Sequence, residues 1–153
     1  MSGGDDKTVR LWDTRGPPRQ GALHTFYEHT GIVTSVAYQP DGMCVASGNA
    51  DRSVKVWDLR TMRLFQHYEE HSDAVNSVSF HPSGKYLVTA SSDSTLKMLD
   101  LVEGRLCYTL HGHGAAVNTC DFSPSGSRGE YFASGAADST VLVRTRHWFR
   151  THR

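Results

Sequence analysis

The sequence predicts an all-β fold, a β-propeller left incomplete at about three and a half four-stranded blades that do not close into a ring. Three observations carry this. His29, His71 and His113 stand 42 residues apart, each opening a copy of one pattern. Each copy then reaches a turn aspartate followed by an alternating apolar run, with Asp51 and Asp93 placed 22 residues after their histidines and Asp138 25 after its own. No segment keeps an apolar period of 3.6 residues, so almost no helix is expected. Periods near 40 residues made of short alternating strands mean radial repetition of a small antiparallel sheet.

The first element is a half blade over 2–28. Ser2 to Asp13 holds the end of one strand and the whole of the next; after Gly16-Pro17-Pro18-Arg19-Gln20-Gly21, an outer strand is expected at Leu23–Tyr27. Two full blades follow over 29–70 and 71–112, then a blade over 113–144 lacking its last strand, and a basic tail over 145–153.

Within the copies the innermost strand carries Val33, Val36 and Tyr38, then Val75, Val78 and Phe80, then Val117, Cys120 and Phe122. A step of three followed by two breaks strict alternation and predicts a bulge. Pro40-Asp41-Gly42, Pro82-Ser83-Gly84 and Pro124-Ser125-Gly126 follow, where proline presets the second position of a type I turn and glycine suits the fourth. Second strands are expected at Met43–Ser47, Tyr86–Ala90 and Tyr131–Ser134, and third strands at Ser53–Trp57, Ser94–Leu99 and Ser139–Val143. Outer strands are expected at Arg63–Tyr68 and Arg105–Leu110, and Ser127-Arg128-Gly129 lengthens a hairpin of the last copy. A first blade short of its inner partners and a last blade short of its outer one leave open edges. Self-association through them is expected.

Composition narrows the function classes. Sixteen basic residues balance sixteen acidic ones, so no global field draws the chain to nucleic acid or a membrane surface. Three cysteines, Cys44, Cys107 and Cys120, lie scattered in strand-like runs without CxxC pairing, as packed thiols do in a reducing compartment. Met1-Ser2-Gly3-Gly4-Asp5-Asp6 is too polar for a secretory leader, and no apolar run approaches the ~20 residues a membrane helix needs. A soluble, cytoplasmic protein without metal or cofactor is expected. His111-Gly112-His113 finds no further ligand, and Gly3-Gly4 lacks the continuation of a phosphate loop. The tail has two aromatics among its basic residues, a composition that suits RNA or an acidic partner, but a mobile terminus that has left the repeat pattern is the stronger reading and no nucleic acid is expected.

One constellation imitates catalysis. His29/Ser47/Asp51, His71/Thr89/Asp93 and His113/Ser134/Asp138 bring the residue types of a nucleophilic triad together three times. The structural reading is stronger. Trp57 donates its indole N–H to Ser47, the Ser47 hydroxyl donates to His29, and the other N–H of His29 meets Asp51, a closed chain satisfying groups the blade would otherwise bury unpaired. No enzyme is expected. Leu99 stands at the tryptophan position of the next copy and Arg144 at that of the last. Arg144 is expected to turn outward, leaving the last blade the loosest.

Asp-Lys-Thr-Val-Arg-Leu-Trp-Asp (Asp6–Asp13) and Asp-Arg-Ser-Val-Lys-Val-Trp-Asp (Asp51–Asp58) resemble the WD-repeat family, over nearly all of the chain from Ser2 to Val143. More narrowly, His81-Pro82-Ser83-Gly84, the run from Thr89 to Lys97, Leu99-Asp100-Leu101-Val102-Glu103-Gly104-Arg105-Leu106, the run from Tyr108 to His113, and Glu130-Tyr131-Phe132-Ala133-Ser134-Gly135 resemble the centriolar proteome-of-centriole WD-repeat proteins. The resemblance implies a seven-bladed propeller followed by a coiled coil, and a structural role in centrioles, basal bodies and cilium assembly, with centriolar or cytoskeletal proteins as partners. It also implies a contact rim at Ile32 and Thr34, Ala74 and Asn76, Ala116 and Asn118, joined by Asp5, Ala50, Ser92 and Ala137 ahead of the turn aspartates. An adaptor subunit of a ubiquitin ligase or chromatin complex is the alternative. A truncated gene product without function of its own is the third expectation, since half the propeller and the coiled coil are missing.

Overall fold

The computed structural model describes residues 1–16, 21–124 and 131–145, and among these every regular element is a strand. β1 (Ser2–Gly3), β2 (Val9–Leu11) and β3 (His24–Phe26) form a three-stranded sheet. β4 (Val33–Tyr38), β5 (Cys44–Asn49), β6 (Val54–Asp58) and β7 (Arg63–Tyr68) form a second, four-stranded one. A third sheet repeats it with β8 (Val75–Phe80), β9 (Tyr86–Ser91), β10 (Leu96–Asp100) and β11 (Arg105–Leu110). A fourth consists of β12 (Val117–Phe122), β13 (Tyr131–Ala136) and β14 (Val141–Thr145). All strand pairs are antiparallel and in sequence order within each sheet, so each blade is a meander.

The expected bulge is present in every innermost strand, between Val33 and Ser35, Val75 and Ser77, and Val117 and Thr119. Gly42 N donates to Gln39 O and Gly84 N to His81 O, both at 2.8 Å, closing the predicted turns. Both glycines sit at positive φ, 75° and 71°, a region costly for any side chain with a Cβ. The second strands run two residues further than expected in β5 and one further in β9, because Asn49 and Ser91 still pair across to Val33 and Val75. β14 continues to Thr145, one residue into the expected tail. The linker at 17–20, the lengthened hairpin at 127–129, most of the third turn and the tail from 146 lie outside the described residues.

The sheets stand side by side, with β1 against β4, β4 against β8 and β8 against β12, and they do not close into a ring. Three apolar layers fill the gaps between them. Val9 and Phe26 meet Val33, Val45 and Trp57; Val54, Val56 and Tyr68 meet Val75, Val78 and Leu87; Leu96, Met98 and Leu110 meet Val117, Cys120 and Phe132. The sheets approach closely because small residues line the facing surface. A Cβ on Gly48 would fall 2.9 Å from Val75 Cγ1. Polar ties cross the same seams. Thr34 Oγ1 donates to the carbonyl of Val75, Asn76 Nδ2 to that of Val117 at 2.9 Å, Gln39 Nε2 to Gly84 O and Gln66 Nε2 to Leu101 O, the last two at 2.8 Å.

Candidate interaction surface

The histidine network is present in all three copies, with its two arms behaving differently. The arm toward the second strand is constant. His29 Nε2 lies 2.7 Å from Ser47 Oγ, His71 Nε2 2.7 Å from Thr89 Oγ1 and His113 Nε2 2.8 Å from Ser134 Oγ. Trp57 Nε1 donates to Ser47 Oγ at 2.9 Å, and the Ser47 hydroxyl has two acceptors in reach, His29 Nε2 at 2.7 Å and Lys55 O at 3.4 Å. The arm toward the aspartate varies. His71 Nδ1 donates to Asp93 Oδ2 at 2.8 Å, the closed chain expected from the sequence. In the last copy His113 Nδ1 donates to Thr140 Oγ1 at 3.0 Å, and Thr140 passes its own proton to Asp138 Oδ1 at 2.6 Å. In the first full copy the arm is open, which corrects the expectation. His29 Nδ1 is 3.9 Å from Asp51 Oδ2 and has no hydrogen-bond partner, because Thr30 donates both N–H and hydroxyl to that oxygen, at 3.1 and 2.8 Å.

Each aspartate spends its other oxygen on the hairpin that follows. Ser53, Thr95 and Thr140 each donate backbone N–H and hydroxyl to Asp51, Asp93 and Asp138. Burial alone would raise Asp51 and Asp93, but the bonds from Ser53 and Thr30, and from Thr95 and His71, outweigh it; both stay low, Asp93 at about 2. Burial, reinforced by the Lys55 ammonium, pushes His29 down to about 4 against the partial pull of Asp51. Burial also lowers His71, opposed by Asp93.

The same geometry bears on catalysis. Ser47 and Thr89 are fully buried and Ser134 is 1% exposed, so no substrate carbonyl reaches the hydroxyl a triad would use. The constellation is a polar pin through each blade.

The period extends to the first sheet, where the sequence reading placed no part of the network. Trp12 Nε1 donates to Ser2 Oγ at 2.9 Å, and Thr8 donates N–H and hydroxyl to Asp6. Ser2, Asp6 and Trp12 each precede Ser47, Asp51 and Trp57 by 45 residues, a signal already in the sequence. Asn49 and Ser91 were missed too; they donate to Gly31 O and Asp73 O and hold the loop that presents the rim. Arg144 corrects a further expectation. It pairs across from Phe132 as Trp57 does from Val45 and Leu99 from Leu87. Rather than turning outward, it is half-buried and donates from Nη2 to the carbonyl of His111. An apolar register slot makes a guanidinium reach past its neighbours for a carbonyl oxygen.

The expected rim is built as matched pairs at one end of the blades. Ala50 N donates to Ile32 O, Ser92 N to Ala74 O and Ala137 N to Ala116 O, each at 2.9 Å. Ile32, Ala50, Ala137, Asn118 and Asp5 are exposed, while Ala74, Ala116 and Ser92 are half-buried. Thr34 and Asn76 have internal partners. Their side chains are the inter-sheet ties described above, and Asn76 also donates to Ser92 Oγ at 3.0 Å. Among the described residues no three His, Cys, Asp or Glu side chains gather as a metal site would need.

A WD40 model (WD domain, G-beta repeat) matches residues 1–13, 21–58, 62–100 and 104–144. The chain belongs to the WD40 repeat family. Each matched repeat from 21 onward holds the outer strand of one sheet and the three inner strands of the next, so every covalent repeat fastens two blades together. Among curated relatives, a guanine nucleotide-binding protein subunit beta of Arabidopsis thaliana is 41% identical over 69 residues, 45% of this chain and 18% of that protein. WD repeat-containing protein 37 of Xenopus tropicalis is 48% identical over 58 residues, 38% of this chain and 11% of that protein. The alignments thus span less than a fifth of these relatives' length. They support the broad WD40 family rather than its centriolar members in particular.

Proposed function

We propose that this WD40 chain is a non-catalytic scaffold that binds other proteins through the paired rim, as a structural component of centrioles and basal bodies. The observation carrying the binding role is the rim itself. Exposed Ile32 and the small residues beside it are held by backbone bonds at the ends of rigid strands, where loop residues are free to contact a partner. Its mostly small, neutral side chains suit a peptide or protein surface better than a phosphate backbone. The curated β subunits are by name subunits of an assembly, which agrees with such a role. The centriolar assignment rests on the runs from Leu99 to Leu106 and from Tyr108 to His113.

The test has two arms. A tagged protein is imaged in ciliated cells, and proximity labelling is repeated with Ile32→Asp and Ala116→Asp. Centriolar signal with labelling lost in the variants supports the proposal. Nuclear signal favours the adaptor reading, and labelling unchanged by either variant moves the interface off the rim.

A further inference from the structure

At the end of the blades opposite the rim, the seam between the second and third sheets is hollow. Two adjoining cavities of about 250 and 300 Å³ share Gln39, Asp41, Cys44 and Phe65 as walls. The repeat explains the space. Cys44 pairs across from Asp58 as Tyr86 pairs from Asp100, so the two residues hold one structural position. In the third sheet the Tyr86 ring packs on the layer beneath it, 6.1 Å from His81 in an edge-on contact. In the second sheet a thiol replaces that ring, and Gln39 replaces the histidine. The Gln39 amide still ties the sheets by its bond to Gly84 O, so they do not collapse onto the missing volume.

The groove also exposes apolar surface. Trp57 pairs with Leu64 and Val56 with Gln66, leaving Phe65 as the extra residue of a bulge on the edge strand β7, 58% exposed. Met43 and Val102 stand on the banks, 53% and 73% exposed. Charge is divided along the groove. Asp58 pairs with Arg60 at 3.6 Å, whereas Asp41 accepts only the Met43 N–H and has no cationic partner among the described residues. Lys85 lines the cavity on the third-sheet side, likewise without an ion pair among the described residues.

We propose that this groove is a second binding site, taking an extended peptide segment whose aromatic side chain lies over Cys44, with a basic residue beside Asp41 and an acidic one toward Lys85. The ring would fill the volume Tyr86 fills one blade further on, and it would cover Phe65. The flanking charges match the two unpaired ones on the walls. A site of this size gives an affinity set by one anchor residue.

The probe is acetyl-Arg-Trp-Glu-amide titrated into the isotope-labelled chain and followed by amide chemical shifts. Saturable shifts confined to Cys44, Phe65, Val102 and their neighbours are expected. Acetyl-Arg-Ala-Glu-amide should bind about tenfold more weakly, and acetyl-Gln-Trp-Gln-amide about threefold more weakly. Cys44→Tyr, which plugs the groove with the side chain of the next blade, should weaken the first peptide by about tenfold or more. Should that variant fail to fold, Phe65→Ser at the exposed edge removes one wall and should weaken binding with the fold intact. Absence of saturable shifts, equal binding of the alanine peptide, or affinity unchanged in both variants overturns the proposal. None of these outcomes bears on the rim, so the two sites are tested separately.

Discussion

Thr30 and Asp51 decide how the first full blade responds to acid. With Thr30 occupying the carboxylate oxygen, His29 is buried, neutral and without a partner at Nδ1. Its protonation is pushed down from the ordinary value of 6.5 to about 4. Between those values the unfolded chain holds a proton that the folded one refuses, so stability is complete above about pH 6.5 and falls as pH drops toward 4. The shift corresponds to a loss on the order of 3 kcal/mol, to which the lowered His71 adds in the same direction. Urea unfolding across this range should show the decline, and His29→Gln should flatten it without abolishing it. A slope untouched by the substitution would exclude His29 as its source. Backbone strain gives a second expectation at this scale. Lys7, Arg52, Ser94 and Ser139, each following a turn aspartate, all have φ between 63° and 75°. Left-handed backbone costs a residue with a Cβ roughly 1–2 kcal/mol, so Arg52→Gly at an exposed position should stabilise by about 1 kcal/mol, visible as a raised Tm. A lowered Tm would mean the arginine side chain contributes more than the strain costs.

Strand register explains which parts of each blade were legible in the sequence. The arm joining histidine to Ser47, Thr89 or Ser134 follows from hairpin lengths, which the period displays directly. The aspartate arm depends on which neighbouring donor wins one oxygen, and nothing in the spacing separates Thr30, which takes it, from Ser72, which sends only its N–H at 3.1 Å. The groove at Cys44 was hidden for another reason. Tyr86 follows Cys44 by the same 42 residues that separate the histidines, so the exchange itself stands in the sequence; the space it leaves appears only with the sheets packed and Gln39 tied to Gly84 O across the seam. The same register makes a prediction about Trp57. Leu99 fills the equivalent slot and is 1% exposed, so an indole is not needed for burial there. In the second sheet, however, the indole donates to fully buried Ser47 and its ring lies 4.6 Å from that of Phe26. Trp57→Phe keeps most of the apolar contact and loses the donor, at a cost of about 1–3 kcal/mol in chemical denaturation. A cost near zero would make the pin through this blade a consequence of packing rather than a contributor to it.

Across the whole molecule, the second and third sheets each present two outward apolar residues of their third strand to the sheet that follows. Val54 and Val56 are 2% and 1% exposed beneath the third sheet, and Leu96 and Met98 are 1% and 3% exposed beneath the fourth. Val141 and Val143 hold the same positions in β14, yet they are 72% and 66% exposed, beside a cavity of about 230 Å³ walled by Phe122, Phe132 and Val143. Among the described residues β14 also has no strand on its outer side, leaving backbone donors and acceptors in a row. An apolar face next to an unpaired edge is the combination that recruits a second chain, because one contact gains both buried area and ladder bonds. The chain should therefore associate with itself as concentration rises, in sedimentation velocity at neutral pH. Val141→Lys with Val143→Lys should shift it toward monomer while leaving the melting transition nearly in place, since these side chains are already solvated. The same pair of lysines at Val54 and Val56 would bury two charges between sheets and should abolish the folded state. A monomer at every concentration, or association indifferent to the β14 lysines, would place the adhesive surface elsewhere, with the exposed Trp12 side of the first sheet the next to test by Trp12→Lys.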